Sequence, residues 1–189
     1  MVEKLRRFRR WEDRDLSLVG KLMLQHGLSQ LGLPTDLHAI TTESYGRPVL
    51  PYPQLDFNIS HSGTLVVTAI STSGRIGIDI EQVTAIDLSD FSRFFKAEEL
   101  DQIRQANDTS EAFFTLWTQK EALIKADGRG LSLDKELIDL QPTQGTIQEN
   151  TWYLQALAIA KGYQAHIATA TANPTITFPS FSLDSFHYS

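Results

Sequence analysis

The chain has 189 residues, 41% of them apolar and 21% charged, with a net charge of −6; this is the composition of a globular protein, either one domain of ordinary size or two small lobes sharing an interface. Zero cysteines exclude disulfides and thiolate metal sites, no apolar run approaches the roughly 18–20 residues of a membrane span, and no secretory signal opens the sequence, so a cytoplasmic protein is expected. The acidic balance argues against a general nucleic-acid binder, although Lys4, Arg6, Arg7, Arg9, Arg10 and Arg14 crowd the start of the chain, as a solvated helix face or as a site for phosphate groups.

From about Glu12 to His26, Leu18, Val19, Leu22 and Met23 recur at helical spacing, with Gly27 as the expected stop. Pro34 and Gly46-Arg47-Pro48 punctuate the stretch after it. The period then changes to two. Leu55–Ser60 alternates as a half-buried strand, Ser62-Gly63 turns into Leu65–Ile70, and Ser73-Gly74 turns into Arg75–Glu81, which together predict an antiparallel meander. A helical stretch around Leu88–Gln105, broken near Lys96, precedes a stronger helix from about Glu111 to Ala126. Asp108 caps the start of that helix, and Gly128 and Gly130 break its end. Strand patterns return at Trp152–Ile159 and Gln164–Ala172, joined near Lys161-Gly162. The order predicts an α+β fold with mostly antiparallel pairing.

Three segments could carry chemistry. On the strand Arg75–Glu81, Ile76, Ile78 and Ile80 point one way while Gly77, Asp79 and Glu81 point the other. Two carboxylates one strand repeat apart repel unless a cation or protons relieve them, and hard oxygen ligands suit Mg²⁺ completed by substrate phosphates. A solvated polar sheet face is the bland alternative. In the helix, Glu121 and Lys125 share a face that Phe114, Trp117 and Thr118 lead along. They form either an exposed ion pair contributing about 0.2–0.5 kcal/mol or a ligand site at the margin of a buried face. In Asn58–Gly63, Ser60, His61 and Ser62 end a strand, where they could bind a phosphate or simply cap the surface. No nucleophile elbow, Walker loop or dinucleotide fingerprint occurs.

Together with Tyr45-Gly46-Arg47-Pro48 and Gly128-Arg129-Gly130-Leu131-Ser132, the strings Phe57–Gly63, Gly77–Glu81 and Trp117–Lys125 resemble the 4′-phosphopantetheinyl transferase superfamily, the surfactin type in particular. The resemblance implies transfer of the phosphopantetheine arm of coenzyme A to a serine hydroxyl of an apo acyl or peptidyl carrier protein, with release of 3′,5′-ADP. By motif position, Asp79, Glu81 and Glu121 would hold Mg²⁺. Glu121 would also take the serine proton, directly or through a water, and Lys125 would steady the transferring phosphoryl group. His61 with Ser60, Arg47, Pro48, Ser17 and Lys4 would hold the 3′-phosphate and adenine end, and Arg93-Phe94-Phe95 would offer part of the carrier surface. The implied fold is two similar lobes related by a pseudo-two-fold axis, 1–75 and 76–189. Each is a small, mainly antiparallel sheet with a packed helix, and the active site lies in the cleft between them.

Two departures stand out. Little precedes the stretch that matches the family at Glu3–Phe8, so the first lobe is expected to lack a strand or expose an edge. Leu16 occupies a position where many members carry a basic residue for the coenzyme. The expected protein is a monomer with no nucleic-acid or membrane partner. One alternative is a non-catalytic coenzyme A or carrier-protein binder of the same fold; another makes the basic start of the chain a nucleic-acid contact.

Overall fold

The computed structural model describes residues 11–130, 133–179 and 181–182, so Lys4, Leu131 and Ser132 lie outside the described residues. Helix α1 (Trp11–Gln30) runs past the expected stop, because Gly27 is a packing residue. A Cβ at Gly20 would lie 2.6 Å from Ile59 Cγ2 and 3.3 Å from Val66 Cγ1, and one at Gly27 would lie 2.5 Å from Ile70 Cδ1. Two bare patches seven residues apart thus let the helix lie down on the strands beneath it. The helix ends at Gly32 (φ +67), where Leu33 N–H donates to Leu28 O. Leu24 and Leu28, fully buried, meet Leu50, Leu55 and Phe57 in the core of this half. Gly20→Ala is therefore expected to cost about 1–2 kcal/mol through crowding, where an uncrowded helix glycine would gain about 1 kcal/mol. Urea unfolding of the variant reads the sign directly.

A short antiparallel pair, β1 (Thr41–Thr42) and β2 (Pro48–Val49), precedes the hairpin of β3 (Asp56–Ser62) and β4 (Leu65–Ser71). The expected meander stops there. Strand β5 (Ile76–Gln82) pairs not with β4 but with β9 (Tyr163–Thr169), in a second sheet ordered β5-β9-β8-β7-β6. In it, β6 is Ile138–Gln141, β7 Gln144–Ile147 and β8 Asn150–Ala156. The reason lies in the polar face of β3. Asp56, Asn58, Ser60 and Ser62 each accept a backbone N–H of β5, from Ile76, Ile78, Ile80 and Gln82 at 2.8, 3.0, 3.4 and 3.0 Å. The offset is a constant 20 residues, so β3 and β5 run parallel, joined by side chains where a ladder would use carbonyls.

Of the two remaining helices, the longer covers the second sheet and the shorter packs against the longer. Lys96 breaks the helical stretch as expected, ahead of α2 (Ala97–Gln105), and its N–H donates to Glu99 Oε2 at 2.7 Å. Asp108 caps α3 (Thr109–Asp127), accepting Glu111 N–H at 2.9 Å, and Gly128 (φ +93) ends it. Ile76, Ile78 and Ile80 turn into a core with Val67, Ala165 and Ile167, leaving the opposite face of β5 to α3. There the helix backbone touches the strand: a Cβ at Gly77 would lie 2.0 Å from Ala122 O and 2.5 Å from Ala126 N. The buried pair Lys120–Glu99 (2.5 Å) ties α3 to α2, and Lys120 Nζ also donates to Phe94 O and sits over the Phe95 ring. The fold is α+β with antiparallel sheets, one helix-covered sheet in each half of the chain.

Candidate active site

Where β3, β5 and α3 converge they enclose a cleft of about 240 Å³, lined by Ser60 and His61 from β3, Asp79 and Glu81 from β5, and Trp117, Glu121 and Lys125 from α3. The contact of Gly77 with Ala122 and Ala126 explains the convergence: with no side chain between helix and strand, the turn bearing Glu121 and Lys125 overhangs Asp79. Lys125 Nζ donates to Asp79 Oδ1 (2.6 Å), Ser60 Oγ (2.9 Å) and Ile78 O (3.3 Å). Ser60 Oγ in turn donates to Asp79 Oδ1 at 2.8 Å, and one strand repeat on, Ser62 Oγ donates to Glu81 Oε2 at 2.6 Å.

Three acids face one ammonium here, and the electrostatics reflect it. Glu121 is pushed up to about 7, first by burial, then by the negative charge of Asp79, with Lys125 opposing and Glu81 adding a smaller push. Glu81 is also raised, by burial ahead of the charge of Asp79, against hydrogen bonds from Ser62 and Trp117. Asp79 is 3% exposed, and its Oδ2 is buried without a hydrogen-bond partner. A buried carboxylate oxygen with no donor is costly unless something positive meets it. Among the described residues, no three acids or histidines are already drawn together around a common point. The three carboxylates share the cleft as a loose, electron-rich wall.

Other expected residues are placed differently. Arg47, expected to reach the coenzyme, is 6% exposed and uses all five N–H groups internally. Its Nη1 and Nη2 grip Asp56 at 2.8 and 2.7 Å, and further bonds reach Pro48 O, Ile76 O and Lys125 O. It is a brace between β2, β3, β5 and the end of α3. Arg47→Lys, which keeps the charge and loses the fork, is expected to lower stability by about 2 kcal/mol while changing coenzyme A affinity less than twofold. Thermal melts and calorimetric titration separate the two effects. Phe95 is fully buried against Phe113 and Trp117 and offers no surface; Arg93 is exposed and Phe94 half-buried. Ser17 and Pro48 are half-buried and do not line the cleft.

Two features escape the sequence pattern. Ser62 orients Glu81 as Ser60 orients Asp79, with the same separation of 19 residues; that repeated spacing is the available signal. His166 is 3% exposed, pairs across the ladder with Asp79, and bonds Thr118 Oγ1 through Nδ1 at 2.8 Å. Burial lowers it to about 4, so at neutral pH it adds no positive charge beside Asp79. A lone polar residue in the run Ala165-His166-Ile167-Ala168 is its mark.

A family model described as the 4′-phosphopantetheinyl transferase superfamily matches residues 75–176, and one described as 4′-phosphopantetheinyl transferase, N-terminal, matches residues 2–73. Among characterised proteins, the 4′-phosphopantetheinyl transferase psf-1 of Bacillus pumilus is 41% identical over 130 residues, covering 67% of this chain and 55% of psf-1. The 4′-phosphopantetheinyl transferase Sfp of Bacillus subtilis (strain 168) is 33% identical over 179 residues, covering 89% of this chain and 80% of Sfp. The L-aminoadipate-semialdehyde dehydrogenase-phosphopantetheinyl transferase of Mus musculus is 28% identical over 177 residues, covering 85% of this chain and 57% of the mouse protein. The chain thus spans little more than half the length of two of these relatives and four fifths of the third.

Proposed function

Because the chain belongs to the 4′-phosphopantetheinyl transferase superfamily, we propose that it transfers the 4′-phosphopantetheine arm of coenzyme A to a serine hydroxyl of an apo acyl or peptidyl carrier protein. A bond forms between the serine Oγ and the phosphorus bearing pantetheine, the pyrophosphate P–O bond breaks, and 3′,5′-ADP leaves. The observation that carries this reading is the meeting of Asp79, Glu81, Glu121 and Lys125 in one cleft.

The cleft suits a magnesium ion: its three carboxylates offer hard oxygens, Asp79 Oδ2 is buried without a donor, and Glu81 and Glu121 are both raised by burial and by the charge of Asp79. Asp79, Glu81 and Glu121 would hold it. Bound there, Mg²⁺ supplies charge neutralisation for a pyrophosphate, the main requirement of phosphoryl transfer. The protein's own groups do the rest. Glu121, poised near neutrality, accepts the serine proton, directly or through a water. The ammonium of Lys125 offers its positive charge to the phosphoryl oxygens as negative charge moves onto the departing phosphate. Ser60 and Ser62 hold Asp79 and Glu81 in their orientations.

His61 and Ser60, which line the cleft, with Pro48, Ser17 and Lys4, are assigned to the 3′-phosphate and adenine end. Arg93 and Phe94 are assigned to the carrier surface. Residues 1–75 and 76–189 act as the two lobes, a division supported by the two family matches meeting between residues 73 and 75. Among the described residues no helix is long and apolar enough to cross a membrane; the enzyme is read as a cytoplasmic monomer.

Incubation with an apo carrier protein, coenzyme A and Mg²⁺ tests the function. Intact-mass spectrometry should show the carrier gaining one phosphopantetheine, with an equal yield of 3′,5′-ADP, and EDTA should stop the reaction. An unmodified carrier, with coenzyme A binding retained, would identify a non-catalytic binder of the same fold.

A further inference from the structure

Helix α3 is registered on the second sheet by three polar contacts at a regular interval. Glu111 Oε1 accepts from Gln164 Nε2 at 3.2 Å, Thr118 Oγ1 meets His166 Nδ1 at 2.8 Å, and Lys125 Nζ donates to Asp79 Oδ1 at 2.6 Å. The helix residues are seven apart, so they lie on one stripe two turns at a time. Their partners also lie on one face, since Gln164 is opposite Glu81 and His166 is opposite Asp79 in the β5–β9 ladder.

The three contacts are not equivalent. The Glu111–Gln164 contact is exposed, and Lys125–Asp79 opens into the cleft. Only the middle one is dry, with Thr118 0% and His166 3% exposed. Its proton can be assigned. The single hydroxyl hydrogen of Thr118 goes to Phe114 O at 2.7 Å, with Thr115 O at 3.1 Å, and carbonyl oxygens cannot donate. The Thr118–His166 proton therefore belongs to the imidazole, fixing the Nδ1–H tautomer.

We propose that the Thr118–His166 hydrogen bond is a positioning contact, setting the height of the Glu121 turn of α3 over the strand that carries Asp79, and with it the affinity of the acidic cleft for a divalent cation. Thr118 precedes Glu121 by three residues, just under one turn, and His166 stands directly across from Asp79. It thus ties α3, just ahead of Glu121, to the strand paired with the one that carries Asp79. The inference rests on the cation site proposed above.

Thr118→Val is nearly isosteric and removes both bonding capacities. With coenzyme A present, Mn²⁺ titration followed by electron paramagnetic resonance should show the dissociation constant rising about three- to tenfold. Thr118→Ser should stay within twofold of the unmodified protein, and ¹⁵N spectra should show the Nδ1-protonated neutral ring of His166 in both of those proteins. A folded Thr118→Val with unchanged Mn²⁺ affinity overturns the positioning role even if its melting temperature falls. Absence of Mn²⁺ uptake by the unmodified protein removes the cation site and this proposal together. Should Thr118→Val prove unfolded by circular dichroism, His166→Leu carries the same comparison, with His166→Gln as the conservative partner.

Discussion

Glu121→Gln and Asp79→Ala are each expected to lower the proposed transfer to a carrier protein at least about a hundredfold while leaving a folded protein, a loss of about 2.7 kcal/mol of transition-state stabilisation. The two variants fail for different reasons. Glutamine matches the shape of Glu121 but can neither accept the serine proton nor contribute charge to a cation. Alanine at position 79 removes the carboxylate that joins Lys125 Nζ and Ser60 Oγ, so the lysine loses its anchor and the cleft loses its most buried acid. The roles proposed for both groups strengthen in the transition state, so the loss is expected in kcat more than in KM. Lys125→Ala obeys the same logic at smaller scale, lowering kcat more than coenzyme affinity because its charge matters most as the phosphate departs. Single-turnover mass spectrometry at saturating coenzyme A measures all three. Near-normal rates in Glu121→Gln or Asp79→Ala would falsify the site assignment.

The acids are legible in the sequence because local pattern suffices for them. The alternation of Ile76, Ile78 and Ile80 with Gly77, Asp79 and Glu81 places two carboxylates on one face of any strand, and the four-residue step from Glu121 to Lys125 fixes a helix face. The pattern does not give the partner of each face. Asp56, Asn58, Ser60 and Ser62 read as an ordinary polar strand face, yet they bond the backbone of a strand 20 residues on, which no periodicity reveals. Gly27 reads as a stop because a glycine at a helix end and a glycine under a packed side chain look alike in one dimension. Arg47 reads as a phosphate ligand because its motif neighbours suggest it, whereas only the count of five internal bonds shows where the guanidinium is spent. His166 is marked only as a lone polar residue in an apolar run, its meaning residing in the strand register opposite Asp79. The short strands β1, β2, β6 and β7 escape because two to four residues carry too little alternation to read.

Metal-free Glu121→Gln is also expected to be more stable than the unmodified protein at pH 8, by about 3 kcal/mol. The sign comes from the raised carboxyl. Glu121 moves from an ordinary value of 4.5 to about 7 in the folded state, so between those limits the folded protein holds a proton that the unfolded chain has released. Its contribution to stability is fully present below 4.5 and is lost as pH rises through 7. Glutamine resembles the protonated acid and loses nothing over that range. The difference between variant and parent should therefore grow from near zero at pH 4.5 to its full value at pH 8, worth some 6–12 °C in melting temperature for a chain of this size. His166, lowered to about 4, acts oppositely: the unfolded chain binds more protons between 4 and 6.5, so its contribution rises with pH. Because it is common to both proteins, it cancels in the difference. Saturating Mg²⁺ should shrink or reverse the gap, since a cation relieves the same repulsion only where Glu121 is charged. Thermal melts in EDTA and in Mg²⁺, at pH 4.5 and pH 8, decide the matter. A gap independent of pH would mean that burial and the charge of Asp79 do not raise Glu121, and a protein that is both inactive and stabilised would mean that the destabilisation and the catalysis come from the same carboxylate.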